Sequence, residues 1–330
     1  MRFSLRFNND LTLPQYVTLA QVAELYGFDQ FWVSNDLFLR SAPIILTSIA
    51  AATRTIEIGT CILNPYTIHP SEIAMLAATL DELSHNRFNL GLAAGAADFL
   101  QWVGLSHGPS LAALRETISA IRGLLAGERV SLDGTFLRWS DECYLRFKAP
   151  RVTPIYLGAM GPGMLRLAGE VADGVLPLLF PPEHYFGVKP YLEEGVTRRA
   201  DTLPPLDFAA CLWVSLAEER EAARRALAEK VAYYGHALGD LILERLGLTR
   251  EDFAPIERAV MAEGDMEKAS GLVDERMLQI GVVGQPEDLI ARLEPLVAAG
   301  AHHLSFGPPL GPNPLEAIHL LGERVLPHFR

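Results

Sequence analysis

The chain has 330 residues, 49% of them apolar, which is enough for a large core in one domain or two. Its formal net charge of −12, without a basic stripe, argues against a nucleic-acid partner. No apolar stretch approaches the roughly 20 residues that span a bilayer, and three separated cysteines without a CxxC pair fit neither a disulfide framework nor a zinc site. We therefore predict a soluble, cytoplasmic protein without a metal, whose partners are small molecules or a second copy of itself.

Strand-like and helix-like segments alternate from the first residues onward. Segments with apolar residues at i, i+3, i+4 and i+7 predict the helices. Eight short β-rich or apolar runs predict the strands, at 2–7, 31–35, 56–62, 88–93, 154–158, 174–179, 207–214 and 302–306. Because the alternation reaches eight units and no GxGxxG follows the first strand, we predict a closed parallel (β/α)8 barrel and not an open doubly wound sheet.

The spacing of the units is uneven before the last strand. Residues 217–300 hold more than one helix, including an Arg/Glu/Ala-rich amphipathic stretch at 218–238 and a less patterned acidic segment at 249–275. We interpret this as an insertion and not as a second domain. The predicted organisation is one barrel domain over 1–330 with a helical insertion at roughly 217–280.

A barrel of this type carries its active site at the carboxyl ends of the strands. The residues predicted to open on one rim are Arg6, Asn35, Cys61, Ala94, Gly158 and Phe180. The third predicted strand ends within IGTCILNPYTIHP, residues 58–70. Asn64, Pro65 and Tyr66 follow its apolar residues, and His69 precedes a predicted helix. Small, polar and aromatic residues at the ends of strands suit the binding of a flat ring system better than that of a metal ion.

The stretch PIYLGAMGPGMLRLAGEVADG, 154–174, is the sharpest candidate for ligand binding. A strand enters a loop that contains three glycines, and a helix begins near Pro162, a position where proline is tolerated. Free N–H groups at the helix start and the absence of side chains suit a phosphate. Arg151 and Arg166 flank this loop without lying in it. A flexible turn without a ligand is the alternative.

Two other patterns suggest different chemistry. GLSHG at 104–108 matches the GxSxG nucleophile elbow, with Ser106 as nucleophile and a later histidine as base. That elbow requires a helix directly after the serine, whereas the sequence predicts a helix start with Ser110 as N-cap, so a hydrolase is disfavoured. The neighbours His302 and His303 point to opposite faces of a strand and cannot share a metal ion.

Taken together, these stretches resemble the luciferase-like barrel superfamily, and within it the deazaflavin (coenzyme F420) branch typified by methylenetetrahydromethanopterin reductase. The resemblance lies in NPYTIHPSEIAMLAATLDELSHNRFNLGLAAG, in PIYLGAMGPGMLRLAGEVADGVL and in GVVGQPEDLIARLEPLVAAGAHHLSFGPPLG, and it is faintest at 182–275. It implies a (β/α)8 barrel, usually dimeric, that binds a flavin or deazaflavin at the strand ends and transfers a hydride to or from it.

The resemblance also assigns site residues. It implies that Asn35 and Asp36 lie beside the cofactor ring, that Cys61 and Ile62 lie behind its inner face at a non-prolyl cis peptide bond, and that Asn64 lines the same pocket. The residues implied to cradle the phosphate are Gly158, Ala159, Met160, Gly161, Pro162, Gly163 and Met164.

The departures from the family pattern concern catalysis. Arg6 stands where the reductase has an acid, Asn35 and Asp36 replace an Asp-His pair, and Ala96 stands where another acid follows the fourth strand. Asp98 is predicted to face solvent and not to replace that acid. We assign catalytic roles to Arg6 and Asp36 and expect an F420-dependent oxidoreductase; an FMN-dependent monooxygenase of the same fold and a non-catalytic flavin-binding relative are the alternatives.

Overall fold

The computed structural model describes residues 1–106, 108–235 and 238–330, and of Asp98 only the backbone. Its strands in chain order are β1 (Arg2–Phe7), β2 (Gln30–Val33), β3 (Glu57–Thr60), β4 (Phe88–Leu92), β5 (Leu132–Asp133), β6 (Arg138–Trp139), β7 (Ile155–Leu157), β8 (Gly174–Val175), β9 (Asp207–Leu216), β10 (Val282–Gly284) and β11 (His303–Leu310). All but β5, β6 and β10 form a closed parallel barrel, in which β11 pairs with β1 and β8 with β9. The predicted (β/α)8 barrel is confirmed.

The strands differ from the predicted eight in three places. The short antiparallel strands β5 and β6 are not among the predicted strands. The three-residue strand β10 is absent from the prediction; it extends the sheet outside the barrel ring by pairing with the end of β9. The strand predicted at 174–179 forms only the two-residue β8, because Pro177 has no N–H to donate to a ladder. Beyond it, Leu178 makes an isolated bridge to Cys211.

Helices cover the outside of the barrel. They are α1 (Leu13–Leu25), α2 (Ala42–Ala52), α3 (Pro70–Ser84), α4 (Ala97–Trp102), α5 (Ser110–Leu125), α6 (Pro162–Val171), α7 (Tyr185–Val196), α8 (Arg220–Tyr234), α9 (Asp240–Arg245), α10 (Arg250–Arg258), α11 (Met266–Gly271), α12 (Glu275–Leu278), α13 (Pro286–Ala298), α14 (Pro314–Leu320) and α15 (Leu326–Phe329). Several, including α1, α2, α3 and α6, have a proline in the first turn, where a missing N–H leaves no bond unmade. In the described part of the chain, no helix combines the length and apolar character needed to cross a membrane.

The barrel interior is filled by side chains and is not a pore. A hydrophobic cluster of Trp32, Tyr156, Leu176, Ala209 and Cys211 occupies it. The rings of Trp32 and Tyr156 meet edge to face, with centroids 4.9 Å apart. The absence of a side chain at Gly59 makes room for Trp32, because a Cβ there would collide with the indole. This packing fills the barrel interior below the carboxyl ends of the strands.

The helices of the predicted insertion, α8 to α12, share a second hydrophobic cluster, to which Leu227, Phe253 and Met277 contribute. Phe180, which follows β8, and Trp213, on β9, belong to the same cluster. The insertion therefore rests on the rim where the active site is expected. We retain, as a proposal, a single domain with an insertion.

Candidate functional site

A cavity of about 680 Å³ opens at the carboxyl ends of the barrel strands. All six residues predicted at one rim line it. The predicted site residues that line the cavity are Arg6, Asn35, Asp36, Cys61, Ile62, Asn64, Gly158, Ala159, Met160, Gly161 and Met164. Pro162 and Gly163 do not; Gly163 borders a neighbouring surface groove together with Arg115 and Arg166.

The exit of β3 forms one wall of the cavity. The peptide bond between Cys61 and Ile62 is cis, as predicted. The side-chain oxygen of Asn64 accepts hydrogen bonds from the backbone N–H groups of Tyr66 and Thr67, at 3.1 and 2.9 Å, and so folds the loop that follows. His69 accepts from the N–H of Ser71 as the N-cap of α3. The polar exit of β3 thus holds its own loop in place while its first residues face the cavity.

Cys61 is half-buried on the cavity wall, and its thiol has a raised pKa. Burial raises the pKa of Cys61 to about 12, an effect that the nearby Arg6 guanidinium only partly offsets. Because the thiolate is the nucleophilic form, Cys61 is a wall of the cavity and not a catalytic nucleophile.

Asn35 and Asp36 follow β2 and are held by the ends of neighbouring elements. The Asn35 side-chain oxygen accepts from the N–H of Ala42, 3.2 Å away, at the start of α2. The Asp36 carboxylate accepts from the Ser34 hydroxyl at 3.2 Å, and Asn9 bonds both the N–H and the carbonyl of Asp36. Burial raises the pKa of the Asp36 carboxyl above its ordinary value. Asp36 is therefore a positioned carboxyl with a shifted proton affinity.

Arg6 is a fixed cation at the floor of the cavity. Its side chain donates from Nε to the Ser305 hydroxyl oxygen at 3.1 Å and from Nη2 to the Leu212 carbonyl at 2.8 Å. Only 6% of Arg6 is exposed, and no carboxylate of the described residues forms an ion pair with it. Gly307 makes room for the guanidinium, since a Cβ there would collide with it. The positive charge is left for a ligand to neutralise.

The glycine loop between β7 and α6 packs tightly against the barrel at Gly158 and has open space at Gly161. A Cβ at Gly158 would lie 3.0 Å from the Ala93 Cβ, so this residue packs tightly against the barrel, whereas a Cβ at Gly161 would meet nothing within 4 Å. Arg151 pairs with Asp81 and Arg166 with Glu194, so neither flanking cation reaches into the loop. An anion there would be held by main-chain N–H groups at the start of α6.

Several residues of the site were missed by the sequence analysis. Trp213 on β9, Tyr234 on α8 and Phe99 on α4 line the cavity. The Lys230 ammonium, also on α8, lies 3.9 Å from the ring centroid of Tyr234. A lysine in a helix rich in Arg and Glu looks like an ordinary surface residue. The pair Tyr233-Tyr234 in that charged helix was the one available signal.

The other chemical candidates do not form sites. Ser106 lies on an exposed loop after α4, and α5 begins at Ser110 with Pro109 and not Ser110 as the N-cap. His302 is exposed while His303 is buried, which confirms their opposite orientations. Within the described residues no three His, Cys, Asp or Glu side chains form a group that could hold a metal ion. The Asp98 side chain and His107 lie outside the described part of the structure.

Comparison with known proteins gives consistent matches over the full length. A family model described as luciferase-like monooxygenase matches residues 4–303. The 5,10-methylenetetrahydromethanopterin reductase of Archaeoglobus fulgidus is 31% identical, over 100% of both chains. An F420-dependent glucose-6-phosphate dehydrogenase of Nakamurella multipartita is 30% identical, over 94% of this chain and 91% of that protein. The solved structure of the coenzyme F420 dependent tetrahydromethanopterin reductase from Methanopyrus kandleri superposes with a TM-score of 0.91 at 31% identity, covering 100% of this chain and 99% of that one.

Proposed function

The chain belongs to the luciferase-like monooxygenase family, and from this premise we propose that it is an F420-dependent oxidoreductase that transfers a hydride between the deazaflavin and a small organic substrate. Relatives with different substrates, a tetrahydromethanopterin reductase and a glucose-6-phosphate dehydrogenase, both carry F420 dependence in their names. The shared property of these relatives is the cofactor and not the substrate, so coenzyme F420 is the assignment that transfers to this chain.

The cavity has the features that a deazaflavin needs. The open space at Gly161 and the start of α6, where the N-cap Gly161 makes no side-chain cap hydrogen bond, support the binding of the cofactor phosphate there. Asn35, Asp36 and Asn64, with Cys61 and Ile62 on the inner side, would border the ring. Bound F420 supplies the hydride-carrying carbon; the chain supplies the slot, the phosphate anchor and the charges beside the ring. The single observation that carries the proposal is that these parts, distant in sequence, line one cavity.

Arg6 and Asp36 are the residues to which we assign catalytic roles. An arginine stays protonated at any relevant pH and cannot act as an acid. Arg6 is instead placed to pair with an anion, either the negative charge on a reduced ring or a carboxylate of the substrate. Since neither Arg6 nor Ala96 supplies a proton where a methylene-bridged pterin would be opened, we expect methylenetetrahydromethanopterin to be reduced poorly or not at all.

We further propose that the enzyme is a cytoplasmic homodimer that binds no nucleic acid. The net charge of −12 supports the last point. The adjacent helices α1, α2 and α3 expose large apolar side chains, among them Leu25, Ile44 and Met75, which supports an apolar contact surface. Light scattering of the purified protein tests the dimer, and a monomer at micromolar concentration would contradict it.

The decisive experiment is a titration of the purified protein with F420 and, separately, with FMN. We expect F420 absorption and fluorescence to change with saturable, micromolar or tighter affinity, and FMN to bind at least tenfold more weakly. Tighter binding of FMN, with oxygen consumption when the flavin is reduced, would establish the monooxygenase alternative. Binding of F420 without F420 reduction by any of a broad set of small alcohols and organic acids would favour the non-catalytic relative.

A further inference from the structure

A surface groove of about 420 Å³ lies between α5 and α6, next to the cavity. The two spaces share the first turns of both helices, because Ser110 and Gly161 line the cavity while Leu111 and Gly163 line the groove. A Cβ at Gly163 would lie 3.3 Å from the Leu111 Cδ1, so these two residues pack together where the cavity and the groove adjoin. A ligand that is anchored at Gly161 and continues past the start of α6 therefore meets this groove.

The side chains that line the groove carry an excess of positive charge. Arg115 on α5 and Arg166 on α6 each lie about one helical turn beyond the residues that adjoin the cavity, and Arg198 follows α7. Among the described residues that line the groove, Glu170 is the one carboxylate. Three positive charges and one negative charge thus face a single groove, in a chain whose formal net charge is −12.

Glu170 does not satisfy the three arginines. Its carboxylate accepts two hydrogen bonds from Arg115, at 2.7 and 2.8 Å. The Arg198 Nε lies 3.6 Å from the same carboxylate, which is too long for a hydrogen bond. Arg166 donates from Nε to Glu194, and its Nη1 and Nη2 groups have no acceptor among the described residues. The groove therefore keeps guanidinium donors for a further carboxylate.

These donors are open to a ligand. The side chains of Arg115 and Arg198 are 48% and 53% exposed. The Arg166 guanidinium lies 4.8 Å from the ring centroid of Tyr191, which holds it at the edge of the groove. Since a guanidinium binds a carboxylate through two parallel hydrogen bonds, the groove suits a ligand that carries several carboxylates along a chain.

We propose that Arg115, Arg166 and Arg198 bind the glutamate tail of the cofactor. Coenzyme F420 continues beyond its phosphate into a chain of glutamates, so a molecule anchored at Gly161 brings several negative charges to the groove. The inference rests on the proposed function and adds a second contact surface to it. The phosphate of FMN is terminal, and FMN would leave this surface unused.

The expected contribution of the groove is moderate. Ion pairs of half-exposed arginines are weak, and salt screens them. We therefore expect the tail to strengthen cofactor binding by about tenfold at low ionic strength, and by much less at about 1 M salt, where the Debye length is only about 3 Å.

The test is a fluorescence titration with two forms of F420, one with several glutamates in its tail and one that ends before the first glutamate. The measured quantity is the ratio of their affinities, because a change elsewhere in the cofactor site affects both forms and cancels. In the wild-type chain the form with the tail should bind about tenfold more tightly at low ionic strength. The ratio should approach one at about 1 M NaCl.

Variants assign this ratio to the groove. Replacing both Arg115 and Arg198 by glutamine should lower the ratio to about two or less. Glu170→Gln should raise it about threefold, because the carboxylate that competes for Arg115 is removed. Arg324→Gln is the matched control, since that arginine is also exposed and paired with carboxylates but lies beyond β11, on the opposite side of the barrel. Its ratio should equal that of the wild type.

Equal affinities of the wild-type chain for the two forms at low ionic strength would overturn the inference and leave the proposed function intact. A wild-type ratio in the variant that lacks Arg115 and Arg198 would also overturn it. If that variant does not fold, the salt series of the wild type decides, and a ratio that does not change with salt contradicts the inference. Failure of the wild-type chain to bind either form would refute the proposed function, and the inference with it.

Discussion

Arg2 and Arg6 lie on the same face of β1, one at each end of the barrel interior, and their surroundings differ sharply. Arg2 donates to the Asp207 carboxylate at 2.8 Å and to Glu57 at 2.9 Å. Arg6 has a hydroxyl and a carbonyl as acceptors and no carboxylate among the described residues. The amino end of the barrel neutralises its own charges, whereas the carboxyl end leaves a charge for a ligand.

A continuous chain of hydrogen bonds connects the two ends. His303 bonds Asp207 through Nδ1 at 3.0 Å and the Ser4 hydroxyl through Nε2 at 2.8 Å, and Ser4 in turn bonds Ser305, which accepts from Arg6. Asp207, His303 and Ser4 have the order of a hydrolase triad, but Ser4 and His303 are completely buried. This series of hydrogen bonds therefore holds Arg6 in place, and its serine is not available as a nucleophile.

The largest expected effect on cofactor binding concerns Gly161, which lines the cavity at the carboxyl end of the barrel. Gly161→Asp fits the open space but places a negative charge where the cofactor phosphate would lie. We expect F420 affinity to fall at least 100-fold with an unchanged thermal midpoint. Gly271→Asp, also in open space but on α11, should bind F420 normally. Undiminished binding by Gly161→Asp in a fluorescence titration would contradict the phosphate assignment.

Replacing Arg6 and, separately, Arg2 by methionine tests the comparison between the carboxyl and amino ends of the barrel. Arg6→Met should lower the rate of F420 reduction, measured with a substrate found by screening, by about 10²-fold, with stability unchanged, because a cation without a carboxylate partner is replaced by an apolar chain. Arg2→Met should show the opposite pattern, with lower stability and a normal rate per folded molecule. Equal rates for Arg6→Met and the wild type would remove Arg6 from the catalytic site.

Asp207→Ala should cause the largest loss of stability at the amino end. It leaves the buried His303 and the hydroxyl of Tyr156 without their acceptor, so we expect the free energy of unfolding to fall by about 3 kcal/mol. Denaturant titration measures this, with the exposed Asp201→Ala as control. A loss no greater than that of the control would show that the network does not stabilise the barrel.

The Asp207 carboxylate also predicts that the free energy of unfolding depends on pH in the acid range. Burial alone would raise the pKa of Asp207, but His303, Arg2 and Tyr156 together lower it to about 2. Because the folded-state pKa lies below the unfolded one, the stabilisation is complete above about pH 4 and is lost as the pH falls toward 2, by about 2 kcal/mol in total. The difference in unfolding free energy between wild type and Asp207→Asn should shrink over this range. A difference independent of pH would refute the assignment.

The smallest effect is expected at Glu57. This carboxylate accepts from Arg2, but both side chains are more than one third exposed, so water screens the pair. Glu57→Gln should change the free energy of unfolding by less than about 1 kcal/mol. A loss of stability as large as that of Asp207→Ala would mean that the exposed pair of Glu57 and Arg2 is strongly coupled to the buried hydrogen bonds of Asp207.

The alternation of strands and helices, the glycine loop and the cis bond at Cys61 were all predictable from the sequence, because each depends on neighbours within a few residues or on a multi-residue resemblance. Errors occurred where local pattern is weak. The three residues of β10 are too few to show a period, and Pro177 shortened a strand that its apolar neighbours had extended in the prediction.

The assignment of charges to the two ends required the tertiary structure. Residues 4, 207 and 303 meet only because strand register and barrel closure bring β1, β9 and β11 together. Lys230 lies over the Trp213 ring only because the insertion packs on the barrel rim through Phe180 and Trp213. Periodicity reports which face of an element is buried, but not which distant side chain lies opposite it. The sequence by itself therefore determined the barrel and the cavity at the carboxyl ends of its strands. The tertiary structure decided which charged groups pair with one another.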